Sequence, residues 1–125
     1  MVHASEEDRQ AIREAIRKIC ADFPDQYWRD VDKAAEYPQA FVDALTASGY
    51  LACLIPEEYG GAGLGITEAS IILEEINRSP GNGLACHAQM YTMGTLLRHG
   101  SADQKQRYLP AIASGQLRLQ AFGVT

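Results

Sequence analysis

Positive charge is in short supply. Lys and Arg number 11 against 16 Asp and Glu, a formal net charge of -5, so electrostatics gives no reason to expect nucleic acid or an anionic membrane as a partner. Cysteine is scarce as well. Cys20, Cys53 and Cys86 form no Cys-x-x-Cys pair, and an odd number cannot all be bridged internally, which points to a reduced, intracellular, cytoplasmic setting. No basic, apolar, small-residue leader opens the chain, so secretion is not indicated. The longest uncharged run, Ser79 to Leu97, carries Asn82, His87, Gln89 and several glycines and would make a poor membrane span. His3, His87 and His99 are far apart, and no second ligand stands three or four residues from His87 or Cys86, so no metal site is expected. Neither a Gly-x-Ser-x-Gly elbow nor a Gly-Lys-Ser/Thr phosphate loop is present. Cys86 and His87 are neighbours on a helix and cannot face each other as a thiolate dyad.

What remains is a chain of 125 residues, 46% apolar and 22% charged, which suits one folded domain with a single core. Apolar residues recur at Ile12, Ile16, Ile19, Cys20 and Phe23, predicting a helix over Glu6 to Ala21 with Ser5 as its N-cap and Pro24 as its stop. From Asp25 to Tyr37 the pattern is weak and reads as a short turn of helix and loop. Pro38 suits the first position of a second helix, with Phe41, Val42 and Leu45 inward and Gly49 as a left-handed stop. Two further helices are predicted over Thr67 to Arg78 and Leu84 to His99, parted by the breakers Ser79 to Gly83. The latter carries no formal charge before Arg98 and is expected at the centre of the bundle. Ser101 to Gln104 is a capping box for one more helix, which Pro110 should end or kink and Gly115 should close. The alternation of Leu117, Leu119 and Ala121 against Arg118 and Gln120 reads as a β-strand, Leu117 to Val124. Such a strand has no partner within the chain, so it pairs with another chain or leads into more protein.

The expected architecture is therefore all-α, a bundle of about five helices over 1–116, with 117–125 beginning a truncated β domain. The glycine cluster Gly60 to Gly65 fits neither dinucleotide fingerprint nor P-loop spacing, and reads as a loop that lets backbone segments pack closely before the next helix. Glu74 and Glu75, adjacent on a helix, point about 100° apart. They read as helix surface rather than as acid/base partners. Composition and spacing alone identify no active site.

Three stretches nonetheless carry a resemblance. Ile55-Pro56-Glu57-Glu58-Tyr59-Gly60-Gly61-Ala62-Gly63-Leu64 is similar to the (I/V)PEEYGGxGL loop of acyl-CoA dehydrogenases, preceded as there by Gly49-Tyr50-Leu51. His99-Gly100 through Gln104-Lys105 to Tyr108-Leu109-Pro110 resembles that family's (F/H)GxxxQKxxYLP. Ile112 to Gly115 and Ala121-Phe122-Gly123-Val124-Thr125 resemble its (L/I)ASG and the A(F/Y)xxT that leads into the flavin site. Three motifs in the right order, spread over nearly the whole chain, are far more specific than any one of them.

The resemblance implies an N-terminal helical domain of an FAD-dependent oxidoreductase of fatty acid metabolism that desaturates acyl-CoA thioesters at the α,β bond. In the family, a β domain and a C-terminal helical bundle follow, and the latter carries the glutamate base that removes the α-proton while the β-hydrogen leaves as hydride to the flavin. By position in the motif, Phe122, Val124 and Thr125 would contact the flavin, and no catalytic residue falls within the chain. The helix beginning at Leu84 corresponds to the one lining the acyl tail, with Gly83, His87 and Tyr91 at i, i+4 and i+8 as substrate-pocket candidates. Electron-transfer flavoprotein as redox partner and a homo-oligomeric whole enzyme are further implications. On the same ground the chain by itself is expected neither to hold FAD tightly nor to turn over substrate. A flavin oxidase or monooxygenase of the same superfamily, such as a nitroalkane oxidase, and a non-enzymatic helical interaction module are the alternatives.

Overall fold

The computed structural model describes residues 3–121 and residue 123. Six α-helices lie among them: α1 (Glu6–Ala21), α2 (Asp25–Ala34), α3 (Gln39–Ala47), α4 (Ile66–Arg78), α5 (Leu84–His99) and α6 (Ala102–Ser114). The all-α architecture is as expected, and the helix starts follow their capping chemistry. Asp8 N–H donates to Ser5 Oγ at 3.0 Å while Ser5 N–H donates to Asp8 Oδ2 at 2.8 Å. The same reciprocal box opens α6, Gln104 N–H to Ser101 Oγ at 3.1 Å and Ser101 N–H to Gln104 Oε1 at 2.9 Å.

One core runs through the molecule. Ile12 and Ile16 of α1, Phe41, Val42 and Leu45 of α3, Ile72 and Ile76 of α4, Met90 and Met93 of α5, and Leu109 and Ile112 of α6 are all buried in it. Leu51 and Ile55, from the apolar run after Gly49, fill its middle through a 3-10 turn at Tyr50–Ala52. α1 and α4 pack side by side and run the same way, because Arg9 meets Glu68 near their starts and Arg17 meets Glu75 two turns on.

Four expectations change. Asp25–Ala34 is a full ten-residue helix rather than a turn. Tyr27, Trp28, Val31 and Ala34 recur at i, i+1, i+4 and i+7 and make one apolar stripe, which the surrounding charge obscured. Edge-to-face aromatic contacts hold it, Trp28 on Phe41 at 4.9 Å and Tyr27 on Phe23 at 4.9 Å. α6 continues through Pro110 to Ser114. Leu109 and Ile112 on either side of the ring are buried, while Pro110 itself is exposed, so the hydrogen bond the proline removes lies on the solvent side of the helix. α5 is not central: it buries one side, Cys86, Gln89, Met90 and Met93, and leaves Leu84, His87 and Thr95 exposed.

The fourth change concerns the end of the chain. No strand forms among the described residues, and 117–121 are irregular. A ladder needs a neighbouring strand, and the described residues contain none. Side chains hold the segment instead. Leu117 and Leu119 pack on the core, and Arg118 donates to Thr46 Oγ1 at 3.1 Å and to Asp43 Oδ1 at 3.4 Å.

Candidate functional site

The open side of α5 is the most unusual surface of the domain. From Leu84 to Leu97 the helix has no formal charge, yet Leu84 remains 68% exposed. A helix surface of this composition belongs against something apolar. Two hollows adjoin it. One, of about 190 Å³, is lined by Tyr37, Pro38, Asn82, Leu84, Ala88 and Gln120 among others. The other, more open, lies between Tyr91, Thr92, Thr95, Leu96, Leu119 and Ala121.

Of the three pocket candidates, the fold brings two together. The His87 and Tyr91 rings meet edge to face at 5.5 Å on the open side. Gly83 does not join them. It is buried at the helix start, and a Cβ there would point at Asn77 Nδ2, 3.3 Å away, and Ile76 Cγ2, 3.5 Å away, at the end of α4. Its smallness serves helix-to-helix packing. Phe122, Val124 and Thr125 lie outside the described residues.

Polar residues that sequence reasoning passed over organise the ground between the hollows. Gln89 is wholly buried and donates through Nε2 to the Leu51 carbonyl at 3.0 Å. Its Oε1 receives Gln120 Nε2 at 3.5 Å. Gln120 Oε1 in turn accepts from the Tyr37 hydroxyl at 2.8 Å, and the Gln120 carbonyl accepts from the Tyr91 hydroxyl at 3.3 Å. The residues after α6 are thereby tied to α5 and to the α2–α3 link. One signal was legible in advance: a glutamine in the middle of an otherwise apolar helix must have a partner if it is buried.

The other motifs resolve as structure. The glycine loop spends its N–H groups on its own backbone: Gly61 to the Pro56 carbonyl at 3.1 Å, Ala62 to Ala52 at 3.1 Å, Gly63 to Ile55 at 2.8 Å and Leu64 to Cys53 at 2.7 Å. A Cβ on Gly61 would collide with the Ile55 carbonyl, so the close-packing reading of this loop holds. Glu75 is not surface: it is 2% exposed. It accepts a fork from Arg17 at 2.8 and 3.0 Å and a further bond from Arg13 at 3.0 Å. The Arg17 hydrogen bonds hold its carboxyl below the usual carboxylate range. Glu68, also buried, is held low by its own backbone N–H and by Arg9 at 3.1 Å. Burial pushes the Cys53 thiol up to about 12 and raises Cys86 and Cys20 as well, so none of these is a ready nucleophile.

A flavin dinucleotide needs donors facing its pyrophosphate and its ring edge. Among the described residues every buried side-chain polar atom already has a partner, and the glycine loop has no free cradle. These residues therefore present no unpartnered buried side-chain donor to such a group. Nor do they include a cluster of three or more His, Cys, Asp or Glu that could hold a metal ion, or a helix long and apolar enough to cross a membrane.

Comparison with known proteins gives a consistent picture. The family model described as "Acyl-CoA dehydrogenase, N-terminal domain" matches residues 6–116. The chain is 34% identical over 120 residues to acyl-CoA dehydrogenase FadE12 of Mycobacterium tuberculosis, a match covering 95% of this chain and 31% of that protein. It is 36% identical over 118 residues to a 3-(aryl)acrylate reductase of Clostridium sporogenes, covering 90% of this chain and 31% of the relative. The chain thus spans about a third of the length of the curated relatives it matches.

Proposed function

Because the chain belongs to the acyl-CoA dehydrogenase family, as its N-terminal helical domain, we propose that it supplies one wall of an acyl-thioester pocket, with the uncovered side of α5 as that wall. The observation that supports this reading most is the pairing of an uncharged helix surface with flanking hollows, where Leu84, His87 and Tyr91 are displayed. An aliphatic chain laid on that surface would remove apolar area from water at about 25 cal/mol per Å². His87 and Tyr91 would bound it laterally, and Gly83 would act only by letting α5 start close to α4.

The activity proposed for a protein with the family's full length is α,β-dehydrogenation of an acyl-CoA thioester with FAD. When bound, the flavin supplies the electron acceptor for that desaturation. Residues 117–125 would lead toward the β domain, with Phe122, Val124 and Thr125 on the flavin side. Electron-transfer flavoprotein as the redox partner belongs to the same proposal.

In this reading the 125-residue chain holds neither the flavin nor a base. Incubated with FAD, an acyl-CoA and an artificial electron acceptor, it should show no dye reduction above the protein-free rate. Sustained turnover by the chain alone would defeat this division of labour.

A further inference from the structure

The hollow of about 190 Å³ beside α5 has a particular chemistry. Its walls are mainly apolar, Pro38, Leu84, Ala85 and Ala88. Its polar members are largely engaged: Asn82 Oδ1 accepts the Leu84 N–H at 2.8 Å, the Tyr37 hydroxyl donates to Gln120 Oε1 at 2.8 Å, and Gln120 Nε2 donates to Gln89 Oε1 at 3.5 Å. A space with an apolar floor and no charged residue in its walls favours an apolar group over a charged one. It is also smaller than the roughly 300–1,000 Å³ of whole-ligand pockets, so it suits the end of a chain.

The Tyr37–Gln120 contact joins residues 83 positions apart across this hollow. Tyr37 is 43% exposed. No burial holds the pair shut beyond the hydrogen bond itself, whereas the Gln120 backbone is fixed independently through its carbonyl to Tyr91. The bond can therefore open without detaching the segment.

We infer that the Tyr37–Gln120 pair is a latch that sets how long an unbranched acyl chain the α5 pocket accepts. The inference rests on the acyl-pocket reading of α5 and adds a length-determining device to it. A short chain ends before the latch and is indifferent to it. A long chain reaches past Ala88 only if the latch opens, and its affinity falls by the population that must be shifted. One solvent-accessible hydrogen bond makes that factor about three- to tenfold.

The test is calorimetric titration of the 125-residue chain and of Tyr37→Phe with butanoyl-CoA and dodecanoyl-CoA, with amide shifts of Leu84, Ala85 and Ala88 recorded in parallel. Phe keeps the aromatic ring in the wall of the hollow and removes only the hydroxyl. The expected result is a gain of about three- to tenfold for dodecanoyl-CoA with butanoyl-CoA unchanged, and α5 amides that move with both. Equal effects on the two thioesters, or none, with the α5 amides still moving, would overturn the latch and leave the pocket reading standing. Failure of either thioester to move those amides would overturn both.

Discussion

At the scale of single residues, the decisive feature is a carboxylate that looked ordinary. Glu75 sits next to Glu74 on α4, and nothing in that dipeptide separates the two. Glu74 is partly exposed and shares one bond with Arg13, whereas Glu75 is shut in and receives Arg13 and Arg17 together. Replacing it by Gln keeps the size and removes the charge that three arginines face, Arg78 at 3.8 Å being the third. Glu75→Gln should cost about 2 kcal/mol at pH 7, read from urea unfolding. The sign with pH follows from the direction of the shift. The folded carboxyl lies below its ordinary 4.5, so its stabilisation is complete above that value and fades as pH falls through the lowered one. The gap between wild type and Glu75→Gln should accordingly be full at pH 7 and narrow progressively as pH is taken below 4.5. A gap that stays constant down to the acid-unfolding limit would show that packing, not charge, sets the cost. The helical period sets Glu75, three residues from Ile72 and four from Ile71, nearer the apolar side than Glu74, but its full burial and its arginine partners appear only when α1 is docked.

Among the elements, α6 shows packing overriding a local preference. Its sequence announces a stop or a kink at Pro110, and the helix is not stopped there, while its start and end obey their signals at Ser101 and Gly115, where φ is 84°. The interior does not, since Leu109 and Ile112 need the same continuous helix to reach the core. Pro110 thus sits at an exposed site where its ring only removes a hydrogen bond. Pro110→Ala should stabilise the domain by about 1–2 kcal/mol, part of the helical gain being lost to a more flexible unfolded chain. The thermal midpoint should rise by roughly 5 °C, and an unchanged or lower midpoint would mean the proline is needed where it stands. α2 is the complementary case. Its stop is Ala35 at φ 53°, not a glycine, so its end was not announced, whereas its apolar stripe of Tyr27, Trp28 and Val31 was present at helical spacing and is held by aromatic contacts.

For the molecule as a whole, the proposed acyl pocket and the core fall on different sides of the same helix. α5 gives Met90, Met93 and Gln89 to the core and keeps Leu84 outside. Leu84→Asp should therefore leave unfolding free energy within about 0.5 kcal/mol of wild type, since an acidic residue in the first turn suits the helix dipole. It should weaken acyl-thioester binding at least about tenfold by setting a charge against the apolar hollow. Destabilisation together with unaltered binding would place the acyl chain elsewhere.

The chain alone determined the helices that begin with a capping box or end at a glycine, the close-packed glycine loop, and the family that its three motifs share. Each depends on residues near one another in sequence, whose hydrogen bonds and backbone angles are settled within a turn or two. Tertiary structure alone decided that Glu75 is fully buried, that Gly83 faces α4 while His87 and Tyr91 face outward, and that Tyr37, Gln89 and Gln120 form one polar bridge. Those outcomes depend on which elements lie opposite. Contact across more than 80 positions leaves no periodic trace in the residues that make it.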